Sequence, residues 1–313
     1  MSDSIIKIGT RGSKLALWQA EHVADLLQKQ GIKTEIHTIE TLGDKVLDVS
    51  ISKIGSKGVF TEEIEEQLRK GNIDIAVHSA KDMPSHLPEG LKLIAFTERE
   101  LVNDVLISNN KSLSLNQKPL VVGTSSTRRI ATLKKYYPHV KTVAVRGNLQ
   151  TRIAKMESGD CDALLLAYAG VHRMGYESLI VARLPLEEFT PAVGQGSITI
   201  EIADTLPVDK VASIRKCINH EQTEVRLIAE RAFLRKMNGG CSIPVFALAT
   251  LHGDTVEISG GIISLDGTEM VREQLSGAIS EAEKLGESLG EKILQRGGSR
   301  ILKEIRETIA NKS

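Results

Sequence analysis

The chain has 313 residues, 41% of them hydrophobic and 26% charged, and its 40 basic side chains are balanced by 40 acidic ones. This length is enough for two or three domains with substantial hydrophobic cores. A formal net charge of zero and an aromatic content of 3% exclude a uniformly basic, base-stacking surface, so we expect no nucleic-acid partner.

Hydropathy and cysteine usage exclude several further classes. No apolar run is long enough to span a bilayer, and the chain enters a strand pattern without the basic and apolar stretches of a signal peptide. The three cysteines, Cys161, Cys217 and Cys241, are scattered, without the Cys or His spacing of a zinc site. We therefore expect a cytoplasmic protein without a membrane partner, a disulfide framework or a bound metal.

Short apolar runs alternate with amphipathic helix patterns along the first two-thirds of the chain. A helix capped by Ser13 is expected to bury one apolar face, and a second helix over Phe60–Lys70 is expected to end at Gly71. This alternation predicts an α/β fold with largely parallel sheets. The predicted strands are Ile5–Gly9, Lys33–Ile39, Ile73–His78, Leu120–Gly123, Lys141–Val145 and Asp162–Ala167.

Two stretches interrupt the alternation. Residues 41–58 are Gly-rich and charged with weak periodicity, which is typical either of a mobile cover over a site or of an ordinary excursion of the chain. From Glu221 a long charged helix leads into strand-like runs separated by turns, and two helices finish the chain. We predict a separate small α+β domain that begins near residue 220.

Arginines are concentrated where predicted strands turn into helices. Such junctions are rich in Gly, Ser and Thr, so they offer backbone N–H groups beside guanidinium groups, and both bind anions. The sequence therefore predicts a ligand with many negative charges, either phosphate or carboxylate, although any single arginine can instead pair with a structural carboxylate. Neither a P-loop nor a GxGxxG motif is present. The junction arginines are Arg11, Arg128, Arg129, Arg146 and Arg173, with Arg152 inside the helix that follows Arg146.

Asp82 and Cys241 are the candidates for chemistry. Asp82 follows a buried strand together with Ser79 and Lys81, so it can accept protons or stabilise a developing cation at the strand end, or it can cap the turn and pair with Lys81. Cys241 follows two glycines, which is typical of an exposed turn and a nucleophilic thiolate, while free cysteines also occur as small buried hydrophobes.

Two further polar residues have a structural and a functional interpretation. Gln195 lies between Gly194 and Gly196, which indicates a close backbone approach, a hinge between domains, or both. His78 lies inside a predicted strand and is interpreted as a core or edge histidine rather than as a ligand.

Taken together, seven segments resemble the porphobilinogen deaminase family. They occur in one order over most of the chain: IGTRGSKLALWQA, SKGVFTEEIEEQL, DIAVHSAKDMP, VGTSSTRRIATL, VRGNLQTRIAKM, PAVGQGS and FLRKMNGGCSIP. The resemblance implies two lobes like those of periplasmic binding proteins plus a small cofactor domain. The implied divisions are 1–99 with 197–219 for domain 1, 100–196 for domain 2, and 220–313 for domain 3.

The resemblance also implies an activity and a covalent cofactor. Members of the family carry a dipyrromethane, linked as a thioether to the cysteine that matches Cys241. They condense four porphobilinogen molecules onto it, each with loss of ammonia, and release hydroxymethylbilane by hydrolysis. A monomer is expected from the family.

Roles for the remaining residues follow from their match to the family's motifs. Asp82 is implied as the catalytic carboxylate, which contacts pyrrole N–H groups and assists proton transfers. The implied cofactor-binding residues beside Cys241 are Ser13, Lys81, Thr124, Ser126, Arg128, Arg129, Arg146 and Gly147. The implied substrate-binding residues are Arg11, Ser79, Arg152, Arg173, Gln195 and, in or beside the predicted cover, Lys53, Lys57 and Phe60.

One position departs from the family's pattern, and two other classes of function were weighed. Ala80 stands where relatives have a larger aliphatic residue, so a gap beside the cofactor or a looser strand end is expected. A non-catalytic two-lobed binding protein or regulator is disfavoured, because we find neither a signal peptide nor a helix-turn-helix and a binder does not need Cys241. An enzyme acting on a phosphate ligand is disfavoured by the missing phosphate motifs.

Overall fold

The computed structural model describes residues 5–41, 61–240 and 242–311. These residues form two compact units, the first comprising residues 1–100 and 196–224 and the second 101–195 and 225–313. Residues 101–195 and 225–313 thus share one compact unit, while the division of the chain into three domains stays a prediction.

Unit one is built on a five-stranded sheet in the order β2-β1-β3-β10-β4. Strands β2, β1 and β3 are parallel, and β10 runs antiparallel to both β3 and β4. Its elements are β1 (Ile6–Arg11), α1 (Lys14–Gln28), β2 (Thr34–Ile39), α2 (Glu62–Arg69), β3 (Ile75–Ser79), β4 (Leu91–Phe96), β10 (Ile198–Ala203) and α6 (Val208–Ile218).

The sheet of unit one is covered on both faces. Alternate residues of its central strands, such as Val77 and Ile200, pack with α1 and α6. Residues of the opposite face, such as Ala76 and Ala203, pack with Ile64 and Leu68 of α2. Because side chains alternate along a strand, each strand supplies both layers, and its sequence is apolar without a simple alternation.

Unit two repeats this strand order in its first part. Its five-stranded sheet has the order β7-β6-β8-β5-β9, with β6, β7 and β8 parallel and β5 antiparallel to both neighbours. The elements are β5 (Asp104–Ile107), β6 (Val121–Gly123), α3 (Thr127–Tyr136), β7 (Lys141–Val143), α4 (Leu149–Glu157), β8 (Ala163–Ala167), α5 (Tyr168–Arg173) and β9 (Ile180–Arg183).

The second part of unit two is an α+β arrangement, as predicted. Three antiparallel strands pack against helices around a core that includes Phe233, Ile258 and Leu289. Phe246 and Ile263 of this sheet also pack on Ala131 of α3. The elements are β11 (Val245–His252), β12 (Thr255–Ile263), β13 (Met270–Ala278), α8 (Ala282–Ile293) and α9 (Ser299–Ala310), preceded by α7 (Glu221–Lys236), which begins in unit one.

The prediction of an α/β fold with two sheet lobes and an α+β part is therefore confirmed. The prediction of largely parallel sheets is confirmed as well, and each five-stranded sheet contains one antiparallel strand, β10 or β5. These are the first strands that follow the first two of the three crossings of the chain between the units. The sequence patterns also did not predict β4 and β9, and each of these strands lies at an edge of its sheet.

Candidate functional site

The carboxyl ends of β1 and β3 bring the predicted residues of unit one to the same edge of its sheet, since these strands are parallel neighbours. Arg11 is the last residue of β1. Ser13 caps α1, and its Oγ accepts a hydrogen bond from the backbone N–H of Ala16 at 3.3 Å. Capping of this kind satisfies one of the free N–H groups at a helix start.

Asp82 lies on a single turn of 3-10 helix over Ala80–Asp82, directly after β3. The buried side chains of Ala80 and Met83, 2% and 3% exposed, anchor this turn on either side of the exposed Asp82. The Ala80 N–H donates to the carbonyl of Ser197 at 2.9 Å, which ties the turn to β10. The carboxylate is thus presented to solvent by a fixed backbone, while the effect of the small Ala80 side chain stays a prediction.

Gln19 is a residue of this edge that the sequence analysis missed. Its side chain is 3% exposed, and its Nε2 donates to Ser79 Oγ at 2.8 Å. The bond fixes the Ser79 hydroxyl from α1, on the face of the sheet opposite to α2. A signal was available, because Gln19 occurs on the otherwise apolar buried face of α1, between Trp18 and Ala20.

The first turn of α3 carries the arginine pair of unit two. Thr124 is buried, and its Oγ1 accepts from the Ser126 N–H at 3.3 Å, while the Ser126 side chain makes no capping bond. Arg128 and Arg129 follow in a first turn without acidic residues. The positive end of the helix dipole and two guanidinium groups therefore coincide at the carboxyl end of β6.

Both guanidinium groups bind one buried carboxylate. Asp104 is fully buried, with Arg128 Nη1 2.8 Å from its Oδ2 and Arg129 Nη2 2.7 Å from its Oδ1. Gln195 Nε2 donates to the same Oδ1 at 3.0 Å. Burial opposes ionisation of Asp104, but the two arginines outweigh it and hold the pKa of this carboxyl well below its usual range. Sequence patterns did not single out Asp104.

The cluster retains one positive charge after this pairing, because two guanidinium groups share one carboxylate. Arg128 Nη1 also donates to the Thr190 carbonyl, and Arg129 Nη1 to that of Leu165. The Nε atoms of Arg128 and Arg129 are buried, and neither has a hydrogen-bond partner among the described residues. Donors left free at a positively charged helix start fit a ligand that carries carboxylates.

A second arginine-bearing junction follows β7. Arg146 precedes α4, and Arg152 within α4 donates from its Nε to the Gly147 carbonyl at 2.8 Å. Gly147 has φ +108°, and a Cβ there would lie 2.7 Å from Thr151 Cγ2, so this turn requires glycine. Asn148 caps α4 by accepting from the Thr151 N–H at 2.9 Å.

Arg173 and Gln195 are the remaining predicted site residues among those that the structure describes. Arg173 is the last residue of α5, so the prediction that it lies where a strand turns into a helix is wrong. Gln195 is 1% exposed, and its side chain is used inside the Asp104 cluster. The predicted close backbone approach is confirmed at Gly196, where a Cβ would lie 2.6 Å from the Glu100 carbonyl. The hinge at this position stays a prediction.

Four predicted site residues lie outside the described residues: Cys241, Lys53, Lys57 and Phe60. Cys161 is buried and Cys217 half-buried, both as free thiols, as expected of small core residues. Within the described ranges, no cluster of His, Cys, Asp and Glu could hold a metal ion. No helix found there is long and apolar enough to cross a membrane.

The structure thus defines an α/β protein with two sheet lobes of the same strand order and a helix start that carries an arginine pair, and comparison with known proteins identifies its family. The model described as "Porphobilinogen deaminase, dipyromethane cofactor binding domain" matches residues 6–207, and that of the porphobilinogen deaminase C-terminal domain matches residues 225–295. The chain belongs to the porphobilinogen deaminase family.

Relatives share nearly the full length of the chain. The porphobilinogen deaminase of Cytophaga hutchinsonii is 57% identical over 97% of this chain and 98% of its own length. That of Desulfosudis oleivorans is 54% identical over 96% and 98%. Among solved structures, the methionine binding protein MetQ superposes with a TM-score of 0.44 at 13% identity, covering 69% of this chain and 90% of its own.

Proposed function

We propose that this chain condenses four porphobilinogen molecules onto a dipyrromethane primer, held as a thioether on Cys241, and releases hydroxymethylbilane by hydrolysis. In each condensation a carbon–carbon bond forms between the aminomethyl carbon of one porphobilinogen and a pyrrole α-carbon of the chain end. The carbon–nitrogen bond breaks, ammonia leaves, and the α-carbon loses its proton. Family membership supports this activity for the chain.

The observation that carries the proposal is the cluster of Arg128 and Arg129 around Asp104. Each pyrrole unit bears an acetate and a propionate, so the primer brings several carboxylates to the protein. The cluster keeps a net positive charge and two buried Nε donors without protein partners among the described residues. A site with this charge and these donors is suited to carboxylates in a planar, bidentate geometry.

Asp82 is proposed as the catalytic carboxylate. Loss of ammonia leaves a pyrrole with cationic character, which a nearby carboxylate stabilises, and the same carboxylate can take part in proton transfer. Its exposed position on an anchored turn supports this role. Ser79, held by Gln19, and Lys81 flank it and are proposed to bind substrate and primer carboxylates respectively.

The remaining roles follow the family's motifs. Ser13, Thr124, Ser126, Arg146 and Gly147 are proposed for the primer. Arg11, Arg152, Arg173 and Gln195 are proposed for the incoming or growing pyrroles. For Gln195 the bond to Asp104 supports an indirect role, through the arginine pair. Lys53, Lys57 and Phe60 are proposed as part of a cover formed by residues 41–58 and its base. We further propose a cytoplasmic monomer with the three-domain division given above.

Intact-mass spectrometry tests the proposal. We expect the purified protein to carry an adduct of two pyrrole units, and Cys241→Ser to carry none. Cys161→Ser is the matched control, since Cys161 is a buried thiol and its replacement should leave the adduct in place. An unmodified parent that also fails to consume porphobilinogen would refute the activity and would leave a two-lobed binding protein as the better explanation.

A further inference from the structure

A buried hydrogen-bonded pair of a histidine and a glutamate lies on the α2 face of the sheet in unit one, and none of the roles above uses it. His78 of β3 is 7% exposed, Glu201 of β10 is fully buried, and Nε2 of His78 lies 3.0 Å from Oε2 of Glu201. The register pairs Thr199 with His78 and Ala76 with Glu201, so the two side chains are diagonal neighbours on the same face.

The surroundings of this pair combine apolar side chains with the buried polar residues Thr61, Glu65 and Thr199. Ile64 and Leu68 of α2 pack on this face of the sheet. Glu65 of the same helix is 3% exposed, and burial raises its pKa, with the negative charge of Glu201 acting in the same direction. The other groups that act on Glu65 are Thr61 and Arg69 of this segment, and His78 itself, all of which lower its pKa. The contact between Nε2 of His78 and Oε2 of Glu201, at 3.0 Å, is the hydrogen bond of the buried Glu201 side chain to the described residues.

The pair is joined to Asp82 by a short and well-anchored piece of backbone. His78 is the penultimate residue of β3, and Ser79 after it is fixed by Gln19 from the opposite face of the sheet. The next N–H, that of Ala80, donates to the Ser197 carbonyl just before β10. Strand β10 therefore holds the end of β3 at two points, through its backbone and through the Glu201 side chain.

We propose that His78, held by Glu201, is a positioning residue for Asp82. Without the hydrogen bond between His78 and Glu201, side chains no longer hold the end of β3 to β10, and the unpaired carboxylate lowers stability in addition. The turn that carries Asp82 moves with the strand end, and a displacement of about 1 Å at a reacting group can lower a rate about 100-fold. The inference rests on the proposed function.

Three variants distinguish a role of His78 in positioning Asp82 from a role in the stability of the fold. His78→Leu removes the hydrogen-bond donor, His78→Gln keeps an Nε2 donor, and His78→Leu combined with Glu201→Met removes both polar groups. We expect His78→Leu to retain its pyrrole adduct and to lose about tenfold or more in kcat, with KM within about twofold of the parent. His78→Gln should recover to within about threefold of the parental kcat. The double variant should unfold near the parental temperature while its kcat stays low.

Parental kcat in a loaded His78→Leu variant would overturn the proposal. An equal loss of kcat in His78→Gln would also overturn it. Restored kcat in the double variant would do the same, because the effect of His78→Leu would then be one of stability alone. If His78→Leu does not fold, the single Glu201→Met variant takes its place, because it removes the acceptor of the His78 bond at similar size, and parental kcat there is equally damaging. Failure of the proposed function is seen separately, in a parent protein that carries no adduct and consumes no porphobilinogen.

Discussion

Replacement of Asp104 by Asn removes the shared partner of two buried guanidinium groups. In the parent, the fully buried carboxylate lies 2.8 Å and 2.7 Å from Arg128 and Arg129 and accepts a further bond from Gln195. Removal of one member of a buried ion pair destabilises proteins by about 3–5 kcal/mol, because the remaining charge has no compensation. Two arginines lose their partner here, so we expect a loss in the upper half of that range.

Urea unfolding followed by far-UV circular dichroism measures this loss. With an m value of about 3 kcal/mol/M, a change of this size lowers the midpoint by roughly 1.3–1.7 M. Asp160→Asn is the matched control in the same unit, since Asp160 is exposed, and it should change stability by no more than about 0.5 kcal/mol.

The pH dependence gives an independent check. Asp104 has a folded-state pKa below its unfolded value, so its stabilising contribution is fully present above an unfolded pKa of about 3.9 and is lost as the pH falls toward the folded value. The difference between parent and Asp104→Asn should therefore be largest at pH 7 and shrink below about pH 4. A midpoint that moves by less than about 0.3 M at pH 7 would refute the reasoning, because the arginines would then be compensated by other groups.

Three further predictions concern single residues. Asp82→Asn should fold as the parent and keep its adduct yet lose nearly all porphobilinogen turnover, and near-normal turnover would show that its role is wrongly assigned. Glu65→Gln should be more stable than the parent at pH 8 and equal to it at pH 4. Because the pKa of Glu65 is raised in the folded protein, its contribution to stability is fully present below its unfolded-state pKa. That contribution is lost as the pH rises through the folded-state pKa. Thermal unfolding of both proteins at the two pH values tests the prediction. Gly147→Ala should destabilise more than Gly159→Ala, since both have positive φ but only Gly147 has a neighbour, Thr151, within reach of the new Cβ, and equal melting temperatures would contradict this.

Much of the fold could be predicted because its helices and central strands have strong local signals. The Ser13 cap, the α2 helix and the strands that lead into arginine-bearing junctions all follow from periodicity and capping. Strands β5 and β10 were missed, because each lies beside a crossing of the chain and pairs with strands far away in sequence. Local periodicity contains no information about such pairing.

The site residues also fall into those with a local sequence signal and those without one. Sequence motifs predict Asp82, Cys241 and the junction arginines as site residues, since Gly-, Ser- and Thr-rich turns beside charged residues are local patterns. They did not identify Gln19, Asp104 or Glu201, whose importance depends on partners 25 to 123 positions away along the chain. The only local sequence signal for each of these three residues was a polar side chain within an otherwise apolar element.

The amino-acid sequence by itself determined the family, the class of ligand and the candidate for the covalent attachment, because motif order, charge placement and residue chemistry are properties of the linear chain. The tertiary structure alone decided that Arg128 and Arg129 share Asp104, and that His78 is held by Glu201. Both results depend on which strands become neighbours. That choice is made by burial of the two faces of each sheet, which forces isolated polar side chains from distant segments to become one another's partners.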